Sequence, residues 1–296
     1  MTPARPNVES DRVTPLLRQR IRAVFKQVPK ALAGDEEPIH QMRVAGRRLR
    51  VALPLLAAKP EGKRVRRALR ILRELTRTAG ASRDLDVSLQ LLDERLRALP
   101  LHTPEQATLR RRLRAARSRS RGRMAEALMD LEIARLRRDL RRIVARGGEE
   151  LFTVLLRLRD MRDSEGTALV GGFETIGDNF DPAGLHRLRR QARRLRYGAE
   201  VSDALRGEPS DAPALLKGLQ EEIGEIHDRN VLASWFGAQS RGGHTRGQVE
   251  LARAAETEQA FFMDAAREAH RALLARGPAA LSREALTAMT RPRSAA

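Results

Sequence analysis

No cysteine occurs anywhere in this 296-residue chain. That excludes disulfides, thiolate-held zinc and a cysteine nucleophile, and leaves the redox compartment open. Aromatic residues are 3% of the chain, with one Trp and one Tyr, so little is available for stacking bases as single-strand binders do. Lysine is scarce too: Lys26, Lys30, Lys59, Lys63 and Lys217 stand among basic residues that are otherwise arginine. Long apolar runs are missing. Stretches such as "VALPLLAA" are far too short to span a bilayer. The opening "MTPARPNVESDRVTPLL" has no apolar core of signal-peptide type, and the expectation is a cytoplasmic protein. Also absent are a phosphate-cradling glycine loop with its Lys and Ser/Thr, a nucleophile elbow and a metalloprotease helix. With no such constellation, the chain is expected to be no enzyme and to hold no cofactor.

Acid is in deficit as well: 38 acidic residues face 57 basic ones, a formal charge of +19. A genome rich in Arg codons would explain arginine over lysine, but not so large an excess over acid. Such a charge implies an anionic partner: nucleic acid, another polyphosphate or an acidic membrane surface. Arginine is the side chain best suited to forked hydrogen bonds with phosphate.

What is present is helical periodicity. "LLRQRIRAVFKQV" sets Leu17, Ile21, Val24, Phe25 and Val28 on one stripe, and "KRVRRALRILREL" does the same with Val65, Leu69, Leu72 and Leu75. No alternating strand pattern stands out. Breaks are expected at "KALAGDEEP", "AKPEGK", "TAGASRD", "ALPLHTPEQ", "RGGEE", "GGFETIGDNFDPAG", "RGEPSDAP" and "QSRGGHTRG", leaving about ten helices. Residues 104 to about 146 read as one long helix with Gly122 as its weak point.

The chain repeats itself. "IHQMRVAGRRLR" (39–50) answers to "LHRLRRQARRLR" (185–196), and "LRELTRTAGASRDLDV" (72–87) to "LKGLQEEIGEIHDRNV" (216–231). His40 thereby matches His186, Arg43 Arg189, Arg47 Arg193, Arg48 Arg194 and Arg50 Arg196, while Gly80 matches Gly224 and Asp84 Asp228. Two blocks in near-register predict two homologous helical halves dividing near "RGGEE".

On a helix, His40, Arg43, Arg47 and Arg50 share a stripe about 80° wide, with Met42, Ala45, Leu49, Leu53 and Leu56 opposite. His186, Arg189, Arg193 and Arg196 do likewise against Leu188, Ala192, Leu195 and Ala199. Pro54 should kink or end the first copy early. The bland reading is a solvated amphipathic face. Such faces normally mix signs to gain pairs between turns; these carry no acid, and they occur twice. Arg66, Arg70, Arg73 and Arg77 form another face, and Arg110, Arg114, Arg117 and Arg121 a further stripe. If the halves pack around a pseudo-two-fold axis, their basic faces can line a shared groove suited to a long polyanion.

His40 and His186 lie just inside expected helix starts, where the dipole and nearby arginines disfavour protonation. A structural role, a phosphate contact and a metal all remain open, though dense positive charge repels a cation and no metal is expected. Asp84 and Asp228 read as helix-start residues that can hold an arginine. Asp86 becomes Asn230 in the second copy, which argues against a required carboxylate pair. Tyr197 offers either a hydroxyl to the groove or a packing surface.

"HQMRVAGRRLR" with "ASRDLDV", then "HRLRRQARRLRYGAE" with "IHDRN", resembles the CHAD family, the conserved histidine α-helical domain, from about Ser10 to about Arg276. The resemblance implies an all-α fold of two four-helix-type bundles related by a pseudo-two-fold, with a basic central channel that binds inorganic polyphosphate and no enzymatic activity. The halves would be residues 10–146 and 147–287, with flexible tails at 1–9 and 288–296. The Glu-x-Glu-x-Lys signature of the triphosphatase domain fused to some relatives is absent, so the chain looks like the stand-alone type. Relatives at polyphosphate or polyhydroxyalkanoate granules make granule association a further expectation. The departures are Asn230 in place of a second Asp, and Arg193 where many relatives carry Lys.

The expected polyphosphate-binding set is His40, Arg43, Arg47, Arg50, His186, Arg189, Arg193 and Arg196, with Arg48, Arg66, Arg70, Arg73, Arg194 and Tyr197 as a second tier. Three rivals share the electrostatics: a general nucleic-acid binder (though no motif for specific reading is present), a metal-dependent phosphohydrolase or its accessory domain, and a protein docking to an acidic granule.

Overall fold

A computed structural model describes residues 11–32, 36–241 and 245–291. The chain is all-α: ten helices and no strand occur among the described residues. They are α1 (Val13–Leu32), α2 (Glu36–Leu56), α3 (Lys63–Arg97), α4 (Pro104–Met129), α5 (Ile133–Val144), α6 (Leu151–Ile176), α7 (Pro182–Arg206), α8 (Ala212–Gln239), α9 (Arg246–Ala275) and α10 (Pro278–Ala288). Among the described residues no helix is long and apolar enough to cross a membrane. The centres of the expected breaks at "KALAGDEEP" and "QSRGGHTRG" (33–35 and 242–244), like residues 1–10 and 292–296, lie outside the described residues.

Local signals explain most boundaries. α4 and α9 begin alike, with a capping box in which Thr103 pairs with Gln106 and Thr245 with Gln248. α7 starts on Asp181, whose carboxylate accepts from the Ala183 N–H at 3.0 Å, and ends on Gly207 at φ +78°, the left-handed position a glycine takes without strain. α2 runs through Pro54 and stops two residues later.

Two expectations are corrected. The stretch from Pro104 to Arg146 is not one helix; it breaks at residues 130–132, while Gly122 stays inside α4. The turn lets α5 fold back onto α3 and bury Leu136, Leu140 and Ile143, which a straight continuation would leave in water. Nor does "TAGASRD" end a helix: α3 continues through Gly80, as α8 does through Gly224, so Asp84 and Asp228 are mid-helix residues rather than helix starts. At Gly224 the intrinsic penalty of an interior glycine, about 1 kcal/mol, is offset by the close approach its missing side chain admits, described below.

The order of helix contacts recurs. α1 meets α2, α2 meets α3, and α3 meets both α4 and α5; α6 meets α7, α7 meets α8, and α8 meets both α9 and α10. Across the halves α2 meets α7, α3 meets α8 and α4 meets α9. Residues 146 and 147 fall between α5 and α6. Met289, placed by sequence reading in the C-terminal tail, is buried in the second core.

The apolar residues form three cores. One joins α1, α2, α5, the first part of α3 and the end of α4 (Leu17, Leu49, Leu53, Ile71) and takes in Val154 and Leu158 of α6 and Val201 and Leu205 of α7; another joins α7, α10, the first part of α8 and parts of α6 and α9 (Leu188, Leu195, Leu216, Ile223). The third, like the first, takes residues from both halves: Leu92 and Leu96 of α3, Leu109 and Leu113 of α4, Leu232 and Phe236 of α8, and Phe262 of α9. This differs from two separate four-helix bundles because α3, 35 residues long, reaches about 50 Å. Its far end passes beyond the first core and finds its apolar partners in the other half. Reciprocal clasps add to the join. Arg12 donates to the Leu205 and Arg206 carbonyls at the end of α7, at 3.0 and 2.9 Å. Arg157 of α6 donates to the Leu55 and Ala57 carbonyls at the end of α2, at 3.0 and 3.1 Å. Each satisfies carbonyls that a helix end leaves without an internal partner.

Candidate functional site

α2 and α7 bury their apolar stripes and turn their basic stripes to the place where the two repeats meet. Met42, Leu49, Leu53 and Leu56 on α2, and Leu188, Ala192 and Leu195 on α7, are fully or almost fully buried. His40, Arg43, Arg47 and Arg50, with His186, Arg189, Arg193 and Arg196, are therefore half-buried rather than splayed into solvent.

Arg43 and Arg189 are held in matching cradles. The Arg43 guanidinium lies 3.9 Å from the Asp84 carboxylate and passes over Gly80, where a side-chain carbon would stand 3.7 Å from it. Arg189 lies 3.7 Å from Asp228 and passes over Gly224 more closely: a side-chain carbon there would stand 2.8 Å from Nη2 and 3.2 Å from Cζ. The close approach explains the mid-helix glycine of α8, whereas at Gly80 of α3 a side-chain carbon would make only an ordinary contact; in both helices an aspartate follows one turn later. Farther along, Arg50 donates to the Thr76 hydroxyl at 3.1 Å and Arg196 to Gln220 Oε1 at 3.3 Å. Thr76 and Gln220 occupy equivalent positions in the two copies.

Arg47 and Arg193 have no acidic partner among the described residues. Burial, then the repulsion of Arg43 and Arg193, pushes the Arg47 guanidinium down to about 9, with Arg189 adding to it. Burial pushes Arg193 down to about 10, and Arg189, Arg43 and Arg50 add to the effect while Tyr197 opposes it. Arginine keeps its proton in proteins, so these pressures persist as unrelieved repulsion. Beside neighbours on the same helix, the pairs that repel include Arg43 with Arg189 and Arg47 with Arg193, from opposite repeats, so the two stripes face each other.

The histidines mark one end of this cluster. Burial lowers His40, and Arg83 lowers it further. Burial, then His227, pushes His186 down to about 4. The His186 and His227 rings are 4.7 Å apart, and His186 Nδ1 is buried without a hydrogen-bond partner. Both histidines are neutral at pH 7. Burial also raises the Asp228 carboxyl, against the pull of Arg189. Among the described residues no group of His, Asp or Glu is arranged to hold a metal ion.

The second tier divides. Arg48 donates two hydrogen bonds to Glu200 across the α2–α7 contact, at 2.8 and 3.0 Å, and Arg20 adds an ion pair at 3.8 Å; it ties the repeats together. Arg194 is exposed and paired with Glu165 at 3.0 Å. Tyr197 is buried, with the Arg48 and Arg196 guanidiniums 5.6 and 5.2 Å from its ring centre, a packing role rather than a free hydroxyl. Arg73 is near enough to repel Arg50, whereas Arg70 is exposed and paired with Glu74 and Glu132, and Arg66 is exposed on the same helix. The α4 stripe is partly spent on acids of α3, with Arg110 on Asp93 and Arg117 and Arg121 on Asp86. Sequence reasoning did not single out Arg83 or His227 for the site, although both stand in the repeated block at equivalent positions.

Two uncharacterized proteins from two strains of Mycobacterium tuberculosis are each 28% identical to the chain over 257 residues, 77% of this chain and 46% of theirs; the chain spans about half the length of the curated relatives it matches. The crystal structure of the CHAD domain from the plant Ricinus communis superposes with a TM-score of 0.61 at 23% identity, covering 95% of this chain and 92% of that one. PptA from Streptomyces chartreusis superposes with a TM-score of 0.66 at 17% identity, covering 88% and 97%. The family model of the CHAD domain matches residues 15–237, three quarters of the sequence, and the chain belongs to the CHAD domain family.

Proposed function

We propose that this protein binds inorganic polyphosphate, without catalysis, in a basic channel between its two repeats, which a pseudo-two-fold relates. The observation that carries the reading is the facing pair Arg47 and Arg193: half-buried cations without an acidic partner among the described residues, pressed by like charges from their own and the opposite repeat. A folded chain keeps such repulsion when a ligand relieves it. The relief needs many negative charges in a row, which a linear phosphate chain supplies. Arg43 and Arg189, aimed by Asp84 and Asp228, would meet successive phosphates, and neutral His40 and His186 could each donate one hydrogen bond. The family binds polyphosphate in some of its members. Tyr197, the aromatic residue of the repeated block, is buried and offers no face for base stacking, which favours polyphosphate over single-stranded nucleic acid. A cytoplasmic site of action, at polyphosphate or polyhydroxyalkanoate granules, is consistent with this reading.

Titration calorimetry of long-chain polyphosphate, beside equal phosphate concentrations of orthophosphate and single-stranded DNA, tests it. Polyphosphate should bind far more tightly than either, and its affinity should fall steeply with salt as released counterions are returned. Charge-assisted hydrogen bonds contribute about 1.5–3 kcal/mol each. Replacing Arg43, Arg47, Arg189 and Arg193 together by alanine should therefore abolish binding while helical circular dichroism is retained. Equal binding of DNA, or unchanged binding in the quadruple variant, would overturn the assignment. Release of orthophosphate by the pure protein, with or without a divalent metal, would overturn the absence of catalysis.

A further inference from the structure

We propose that the groove between α1 and α5 is a docking site for an acidic amphipathic helix of a partner protein. The charge of the chain is concentrated in one half. Residues 1–146 hold 36 basic and 16 acidic side chains, a net +20, whereas residues 147–296 hold 21 and 22, a net −1. The channel-facing stripes take four residues from each repeat, so they do not account for this imbalance.

Part of the surplus lines a groove of about 530 Å³. Arg18 and Arg22 of α1 form one wall and Arg137 and Arg141 of α5 the other; all four are exposed. Arg138 and Arg142 continue the second wall onto the adjoining surface. Among the described residues no acidic side chain lines the groove. α1 contains none between Val13 and Leu32. Asp139, the one acid within α5, is buried and held by two hydrogen bonds from Arg67, at 2.6 and 2.7 Å. Glu132, just before α5, is engaged by Arg70 and Arg135.

The floor is apolar. Ile21, Phe25 and Val144 are half-buried there, with the Arg137 guanidinium 4.8 Å from the Phe25 ring centre. The corresponding outer pair of the second half, α6 and α10, is different. α10 carries a single arginine, Arg283, which donates to Glu174 of α6, and Arg159 and Arg162 of α6 pair with Asp163.

An apolar floor between two arginine walls selects its occupant. A phosphate chain has nothing to bury on Phe25 and Ile21. A bilayer needs apolar groups that project beyond the charges, and here they lie beneath them. A helix with an apolar stripe flanked by Asp and Glu satisfies floor and walls together.

The test uses the full chain and a synthetic helical peptide of about five turns, with leucines at i, i+3, i+4 and i+7 and glutamates on both flanks. A scrambled peptide of the same composition and vesicles of anionic phospholipid serve as the other arms. Fluorescence anisotropy should show the striped peptide binding at least about tenfold more tightly than the scrambled one, a difference of about 1.4 kcal/mol. R137E/R141E should remove that preference. R119E/R123E, an equal charge change on exposed residues of α4, should keep it, and both variants should still bind polyphosphate. Equal binding of the two peptides, equal loss in both variants, or an Arg137- and Arg141-dependent binding of vesicles without peptide would each overturn the proposal. None of these outcomes bears on the channel, whose own test is the quadruple alanine variant.

Discussion

The two halves present nearly the same basic stripe inward, yet they differ in how they hold it and in what they show to solvent. The first half seats Arg43 loosely over Gly80; the second presses Arg189 close onto Gly224. The first places Arg83 beside His40 where the second places His227 beside His186. In the first, Asp86 holds Arg117 and Arg121; in the second, Asn230 stands at the matching place. The cation cluster recurs in both copies, as the proposed binding of one anion by both helices would require. The outer faces meet different surroundings and have diverged.

Glu200 offers the sharpest way to break the comparison. It accepts from both Arg48 and Arg196 and pairs with Arg20, and the matching position in the first half is Pro54, which can do none of this. E200Q leaves three cations without their carboxylate. It should lower stability by about 2 kcal/mol, reduced from the fully buried case because the site is partly wet. Urea unfolding would register this as a lower midpoint with an unchanged slope.

Next come the cradles. In G224A the new carbon would lie 2.8–3.3 Å from the Arg189 guanidinium, whereas in G80A it would meet Arg43 at an ordinary 3.7 Å. G224A should displace Arg189 and weaken polyphosphate binding about fivefold, roughly 1 kcal/mol. G80A should bind within about twofold of the parent and gain helix propensity. Calorimetry on the two variants compares the halves directly; equal effects would mean that the cradles are equivalent.

The smallest effect concerns pH. His186 titrates near 4 in the folded chain and near its ordinary 6.5 when unfolded. The unfolded state therefore takes up the proton first as pH falls. The stability owed to neutral His186 is full above about 6.5 and is lost on the way down to about 4. A bound polyanion favours the charged imidazoles, so affinity should rise about threefold from pH 7.5 to 5.5 with net proton uptake. Calorimetry in buffers of different ionisation heat measures that uptake. H227R, which copies the first half, should flatten the curve.

Much of this was legible in the residues. The helical period, the breaking signals around residues 99–106 and 207–212, and the repeat of the basic block are local properties, and most helices followed from them; the split between α4 and α5 and the continuity of α3 did not. The stripe of His40, Arg43, Arg47 and Arg50 was legible for the same reason: a helix of known pitch projects a known pattern. Gly80 and Asp84 were misread as a helix break because glycine and aspartate are local breakers, and the guanidinium that Asp84 pairs with sits on another helix. Arg48 and Arg194 looked equivalent to their neighbours, since nothing in a single strand of text shows which arginine will find Glu200 or Glu165.

By itself, the sequence determined that the chain would be helical, doubled and basic, because periodicity, repetition and charge are written residue by residue. Only the tertiary structure decided which cations would be neutralised and which left facing one another. That choice depends on distances between residues far apart in the chain: Arg48 lies 152 positions from Glu200. Packing three apolar cores sets those distances, because burial of that much apolar surface outweighs any one partly exposed ion pair.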